Sequence, residues 1–160
     1  MQLSPEEIHE TLLMVQQQHL DIRTVTLGVS LDGCAAGDPA RVALRVGDTV
    51  RRAAERLVPV AEAVAREYGV PIVNKRIAVT PIAQLATGLD PDALLAVAAE
   101  MDRAAADVGV DFIGGFSALV HKGIGEGDRR LMDAIPDALA STLRVCASVN
   151  VASTRAGINV

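Results

Sequence analysis

Ile22-Arg23-Thr24-Val25-Thr26-Leu27-Gly28-Val29-Ser30 alternates polar with aliphatic or β-branched residues and leaves through glycine and serine, the pattern of a β-strand. A second such run, Ile72 to Val79, carries Asn74-Lys75-Arg76 in its middle and is turned out by Thr80-Pro81. Between them, Asp38-Pro39 gives an N-cap and a first-turn proline. The Ala/Val/Leu-rich stretch from Ala40 to Tyr68 then has helical spacing until Gly69 stops it, and Pro59 should kink or split it. Two strands joined by so long a helical crossover are predicted to lie parallel.

The flanking sequence repeats this unit. Ser4-Pro5-Glu6-Glu7 supplies a serine cap, a proline at the first helical position and a glutamate placed to close a capping box, with His9 and His19 on or just after the helix. Asp90-Pro91 starts a helix expected to reach about Val108. Asp111 to Phe116 reads as a short apolar strand ending in the glycine pair, and Ser117 as the start of a short helix through Lys122. Asp128 can cap a further helical piece that Pro136 restarts, Leu143 to Val151 is the last strand candidate, and a polar tail follows. The expectation is one α/β unit over residues 1–160, four parallel strands alternating with helices, forming an open sheet or a piece of a larger barrel.

Composition narrows the function classes. Half of the 160 residues are hydrophobic but only 2% are aromatic (Tyr68, Phe112, Phe116), so the core must be built from Ala, Val, Leu and Ile. Fifteen basic against twenty acidic residues, the basic ones scattered, argue against nucleic acid and anionic membrane as partners. No apolar run approaches the ~20 residues of a membrane span. The acidic start is unlike a signal peptide, so a cytoplasmic location is predicted. Cys34 and Cys146 then read as reduced thiols. Three histidines and no HExxH or CxxC pattern predict neither a metal site nor a cofactor.

Four segments carry a resemblance: Asp21 to Leu31, Val73 to Ile82, Asp111 to Val120, and Val145 to Asn150 with Ser153-Thr154-Arg155 and Gly157-Ile158-Asn159. Together, and in this order, they resemble the amino-terminal part of an uncharacterised family of prokaryotic proteins usually labelled pyruvate formate-lyase-like. That resemblance implies the α/β barrel of glycyl radical enzymes, with this chain as its first third and the rest supplied by a missing segment or a partner polypeptide. Radical chemistry is not implied, because Arg155-Ala156-Gly157 lacks the pattern around a radical-bearing glycine. The family continues past the position of Val160 with a threonine, which raises a processing reading: a threonine freed as a new N-terminus would be a nucleophile with its own amine as base.

In parallel α/β folds, ligands collect beyond the carboxyl ends of the strands. Here these ends are Ser30 to Cys34, Thr80-Pro81, Gly114 to Ser117 and Asn150 to Arg155. Ser117 could help hold an anion at a helix start or serve as a plain N-cap, the simpler role. Arg23 and Arg76 are expected to be mainly buried and paired with a carboxylate of this chain (Asp21, Asp111 or another acid), of a partner or of a ligand. Alternation puts Lys75 on the opposite face from Asn74 and Arg76. Cys146 reads as a core residue and Cys34, in a glycine-rich loop, as the accessible thiol, with His121 as a candidate acid/base partner. The Arg/Glu mixture from Arg51 to Glu67 reads as a solvated helix face.

Arg23, Asn74, Arg76, Ser117 and Asn150 are thus the predicted substrate-binding set, and Cys34, His121 and Cys146 the candidate nucleophiles or acid/base groups. They suit an enzyme acting on a small polar or anionic metabolite. Alternatives are a self-processed N-terminal-threonine amide hydrolase of which this is the non-nucleophile chain, and a non-catalytic ligand-binding or regulatory module. Apolar, unpaired strand edges predict a second polypeptide carrying the C-terminal two-thirds of the family fold, and a higher oligomer.

Overall fold

The computed structural model describes residues 4–18, 21–35 and 37–159; His19 and Val160 lie outside them. Helix α1 (Pro5–Gln16) starts at the expected capping box, in which the Ser4 amide donates to Glu7 Oε2 at 2.7 Å and the Glu7 amide to Ser4 Oγ at 3.2 Å. Strand β1 is Ile22–Val29, and β2 is Ile72–Val79, as the alternation predicts. The crossover between them is split into α2 (Pro39–Ala54) and α3 (Leu57–Tyr68). Pro59 falls in the first turn of α3, where a missing N–H costs no helical hydrogen bond. Gly69 closes α3 at φ +67°, the left-handed geometry glycine adopts freely.

After a 3₁₀ turn at Ile82–Gln84, α4 (Pro91–Asp107) is capped by Asp90, whose carboxylate accepts from the Ala93 amide at 2.7 Å. Two expectations fail beyond it. Strand β3 runs through the glycine pair, from Phe112 to Leu119, and no helix begins at Ser117. Gly115, at φ +120°, absorbs one extra residue as a bulge, after which Phe116, Ala118 and Val120 return to the buried side. Pro136, expected to restart a helix, lies inside one continuous α5 (Glu126–Ser141). The helix starts before the Asp128 expected to cap it: Gly125 is the N-cap, and Asp128, third in the helix, accepts from the Gly125 amide at 2.8 Å. Strand β4 is Val145–Asn150, shorter than its apolar run, and the tail forms a two-stranded hairpin of β5 (Ala152–Ser153) and β6 (Gly157–Ile158).

Strands β1 to β4 make one parallel sheet in sequential order. Sequential parallel strands joined by crossovers of one hand carry all their helices on one face. The burial pattern agrees: Val29, Ile77, Val79, Ile113, Phe116, Ala118 and Val145 meet the helix layer. There α2 packs on α4, and α4 on α5. The helix side of α4 is rich in alanine (Ala93, Ala98, Ala104, Ala105), which lets α2 approach it closely. Into that contact the fold inserts Glu100, 4% exposed, paired with Arg51 at 2.8 Å and Arg103 at 2.5 Å. Asp107 first and Glu100 second hold the Arg51 guanidinium protonated above its ordinary range. Arg51 therefore departs from the solvated face expected of it. The opposite face of the sheet has no element of the described residues packed across it, so the strands are covered on one side only. No helix among the described residues is long and apolar enough to cross a membrane.

Candidate functional site

The uncovered face collects the side chains that alternate with the core: Thr24, Thr26 and Gly28 of β1; Asn74, Arg76 and Ala78 of β2; Phe112, Gly114, Ser117 and Leu119 of β3; Cys146, Ser148 and Asn150 of β4. The pairing register arranges them in rows across the sheet. In the first, Thr26 stands opposite Arg76, and Arg76 opposite Phe112. Arg144 continues it, because its carbonyl accepts from the Ile113 amide at 3.0 Å and Ile113 pairs with Val145. The second row, Gly28, Ala78, Gly114 and Cys146, has almost no side-chain bulk. A methyl at Gly28 would meet nothing within 4 Å. Further along the strands come Ser30, Thr80, Ser117 and Ser148, a row of hydroxyls in which Ser117 is paired with Ser148.

The expected site residues divide between places. Asn74, Arg76, Ser117, Asn150 and Cys146 share the open face. Arg23 alternates with Thr24 and lies on the helix side, at the bare start of β1. Neither Arg23 nor Arg76 is buried, contrary to expectation, and among the described residues neither has a carboxylate within 4.0 Å. Arg76 stands on the face that the helices leave open, and Arg23 lies at the exposed start of β1. Asp111, a proposed counter-ion, instead accepts from the Lys75 backbone amide at 2.8 Å. Asn74 donates from Nδ2 to the Arg23 carbonyl at 3.1 Å, tying β2 to β1. Ser117 is buried and donates to the Gly115 carbonyl at 3.3 Å across the bulge, so it is neither an N-cap nor part of a helix dipole site.

The cysteines exchange the roles expected of them. Cys34 is 2% exposed, its Sγ 3.6 Å from Thr49 Oγ1, because the loop after β1 folds inward under α2. Arg45 pins that loop by donating to the Gly33 and Ala35 carbonyls at 3.4 and 3.2 Å. Cys146 is exposed on the open face. His121 follows β3 at the carboxyl end of the sheet, and its Nδ1 is buried without a hydrogen-bond partner among the described residues. Beside it the tail folds back, Asn159 donating from Nδ2 to the Val120 carbonyl at 2.6 Å. His9 is exposed on α1.

Sequence reasoning missed Arg144 and Phe112 as site residues. A cleft of about 390 Å³ at the amino-terminal end of the open face is lined by Asn74, Asp111, Phe112, Leu143 and Arg144. Asp102, the other acid near Arg144, is occupied by backbone: its Oδ1 accepts from the Leu143 and Arg144 amides at 3.0 and 2.6 Å. The open face thus presents two guanidinium groups with an exposed phenyl ring between them. A guanidinium stays charged at any physiological pH and favours bidentate oxyanions.

Comparison with known proteins gives this chain close relatives. It is 56% identical over 158 residues to a UPF0210 protein of Desulforudis audaxviator (strain MP104C), covering 99% of this chain and 35% of that protein. Similar matches are a UPF0210 protein of Syntrophobacter fumaroxidans, 55% identical with the same coverage, and one of Halothermothrix orenii, 53% identical over 160 residues. The chain thus spans about a third, 35%, of the length of the curated relatives it matches. Residues 13–160 match the family model described as Uncharacterised ACR (DUF711), and the chain belongs to that family.

Proposed function

We propose that this chain is the amino-terminal sector of a pyruvate formate-lyase-like α/β barrel, completed by a polypeptide carrying the rest of the family length. The open face of the sheet forms part of the inner wall of a site for a small anionic metabolite, converted without radical chemistry. Asn74, Arg76, Ser117 and Asn150 line that wall, and Cys146 stands on it. The one observation that carries the reading is the pairing of an uncovered sheet face with guanidinium groups that have no carboxylate partner among the described residues. A face carrying unpaired charge is poorly suited to a dry protein–protein contact and well suited to a polar ligand. Sequential parallel strands with all helices outside are also the layout of a barrel sector.

Cys146 provides the test, since it lies in the middle of the face. A maleimide should label it readily in this chain alone and slowly once the chain is assembled with the remainder of the family-length protein. Equal labelling in both states overturns the enclosed-wall reading.

A further inference from the structure

We propose that the ligand of the open face is a short dicarboxylate, one acid group held by Arg76 and the other by Arg144, with the spacer lying over Phe112. The proposal rests on the reading of that face as a ligand wall and names the class of molecule it takes. Arg76, Phe112 and Arg144 stand in one row on three successive strands. Strands are spaced ~4.8 Å apart, so the two arginine Cα atoms lie roughly 10 Å from each other. Side chains that stand off the same face across that distance can converge on two groups of one small molecule.

The charge balance points the same way. Arg51 and Arg103 are paired with Glu100, Arg66 with Glu62, and Arg130 with Glu126. Arg45 is bonded to two carbonyls. Arg76 and Arg144 have no carboxylate partner among the described residues, a state they share with Arg23, Arg41, Arg52, Arg56, Arg129 and Arg155, but these two stand on the open face, where one oxygen of Asp111 and one of Asp102 are taken by backbone amides. Enclosing two like charges without counter-ions is costly, and one dianion neutralises both. The ring between them disfavours a third polar group at mid-ligand and matches a hydrocarbon spacer. Phe112 is 41% exposed, an aromatic surface the fold leaves uncovered. A cleft of about 390 Å³ lined by Phe112 and Arg144, together with Asp111, adjoins this row and leaves Arg76 outside its lining.

Titration calorimetry on the protein as its natural gene encodes it tests this, with succinate, glutarate and adipate against butyrate and inorganic phosphate. The expected result is that at least one diacid binds, and that Arg76→Met and Arg144→Met each weaken it by about tenfold or more, while Arg41→Met on α2 does not. If a variant fails to fold, the wild-type comparison of diacid with butyrate decides, and the diacid should bind about tenfold tighter. Butyrate or phosphate binding as tightly as every diacid overturns the proposal, as does the absence of diacid binding. In either event protection of Cys146 on assembly would leave the enclosed-wall reading standing.

Discussion

Gly47 of α2 lies directly against Glu100 of α4: a Cβ at Gly47 would collide with the Glu100 carboxylate and come within 2.6 Å of its Cγ and 2.8 Å of Arg51 Nη1. The buried ion pair and the missing side chain therefore form one device. The glycine makes the space in which Glu100 bridges Arg51 and Arg103. Gly47→Ala should destabilise the fold by about 1–3 kcal/mol in urea denaturation, through overpacking. Glu100→Ala should cost about 1–3 kcal/mol by removing its charge-assisted bonds, since Arg51 keeps Asp107 and Arg103 is largely in solvent. Together the two changes should cost less than their sum, since the second removes what the first collides with. Strict additivity would show that the helices separate elsewhere to admit the methyl.

Gly115 and Gly28 make a matched pair within the sheet. At Gly115 the backbone is left-handed and a Cβ would lie 2.6 Å from the Val79 carbonyl oxygen, whereas at Gly28 it would meet nothing within 4 Å. Gly115→Ala should lose about 3 kcal/mol or more. Gly28→Ala should gain about 0.5 kcal/mol by stiffening the unfolded chain. Thermal melts of both variants check the contrast, and a neutral Gly115→Ala would mean that the bulge is absent.

The two thiols should differ widely in reactivity. With Ellman's reagent, one equivalent should react quickly and the second only on unfolding, because Cys34 is 2% exposed and Cys146 lies on the open face. Cys146→Ala should remove the fast phase. Retention of the fast phase in that variant would place Cys34 at the surface instead.

The tail hairpin is fastened to the end of β3 by the side-chain bond from Asn159 to the Val120 carbonyl, while the Asn159 amide closes the hairpin on itself by donating to the Val151 carbonyl at 2.9 Å. Asn159→Ala should remove a bond worth about 1 kcal/mol. Limited trypsin digestion should then cut at Arg155 faster than in the parent, with global stability nearly unchanged. An unaltered cleavage rate would show that the bond to Val120 does not hold the tail.

Local chemistry written into short stretches was legible without coordinates. The Ser4 and Glu7 capping box, the Asp90 cap and the Gly69 stop each depend on residues within one turn of each other, and each forms as expected. Alternation within β2 likewise set Asn74 and Arg76 on one face and Lys75 on the other. Helix-length crossovers between strands implied a parallel sheet because no shorter connection can make one.

What the tertiary structure alone decided is long-range. The pair Gly114-Gly115 reads locally as a strand end, and only pairing with β2 and β4 on both sides carries β3 through it as a bulge. Cys34 looked accessible from its glycine-rich surroundings, yet Arg45 on the next helix draws its loop inward. The apolar run around Cys146 looked like core, but the packed helices α2, α4 and α5 lie on one side, so alternate residues of β4 are left uncovered. The company of Arg76, Phe112 and Arg144 depends on the register of three strands distant in sequence. Register is fixed by how whole strands and helices pack, a cooperative property that no window of sequence contains.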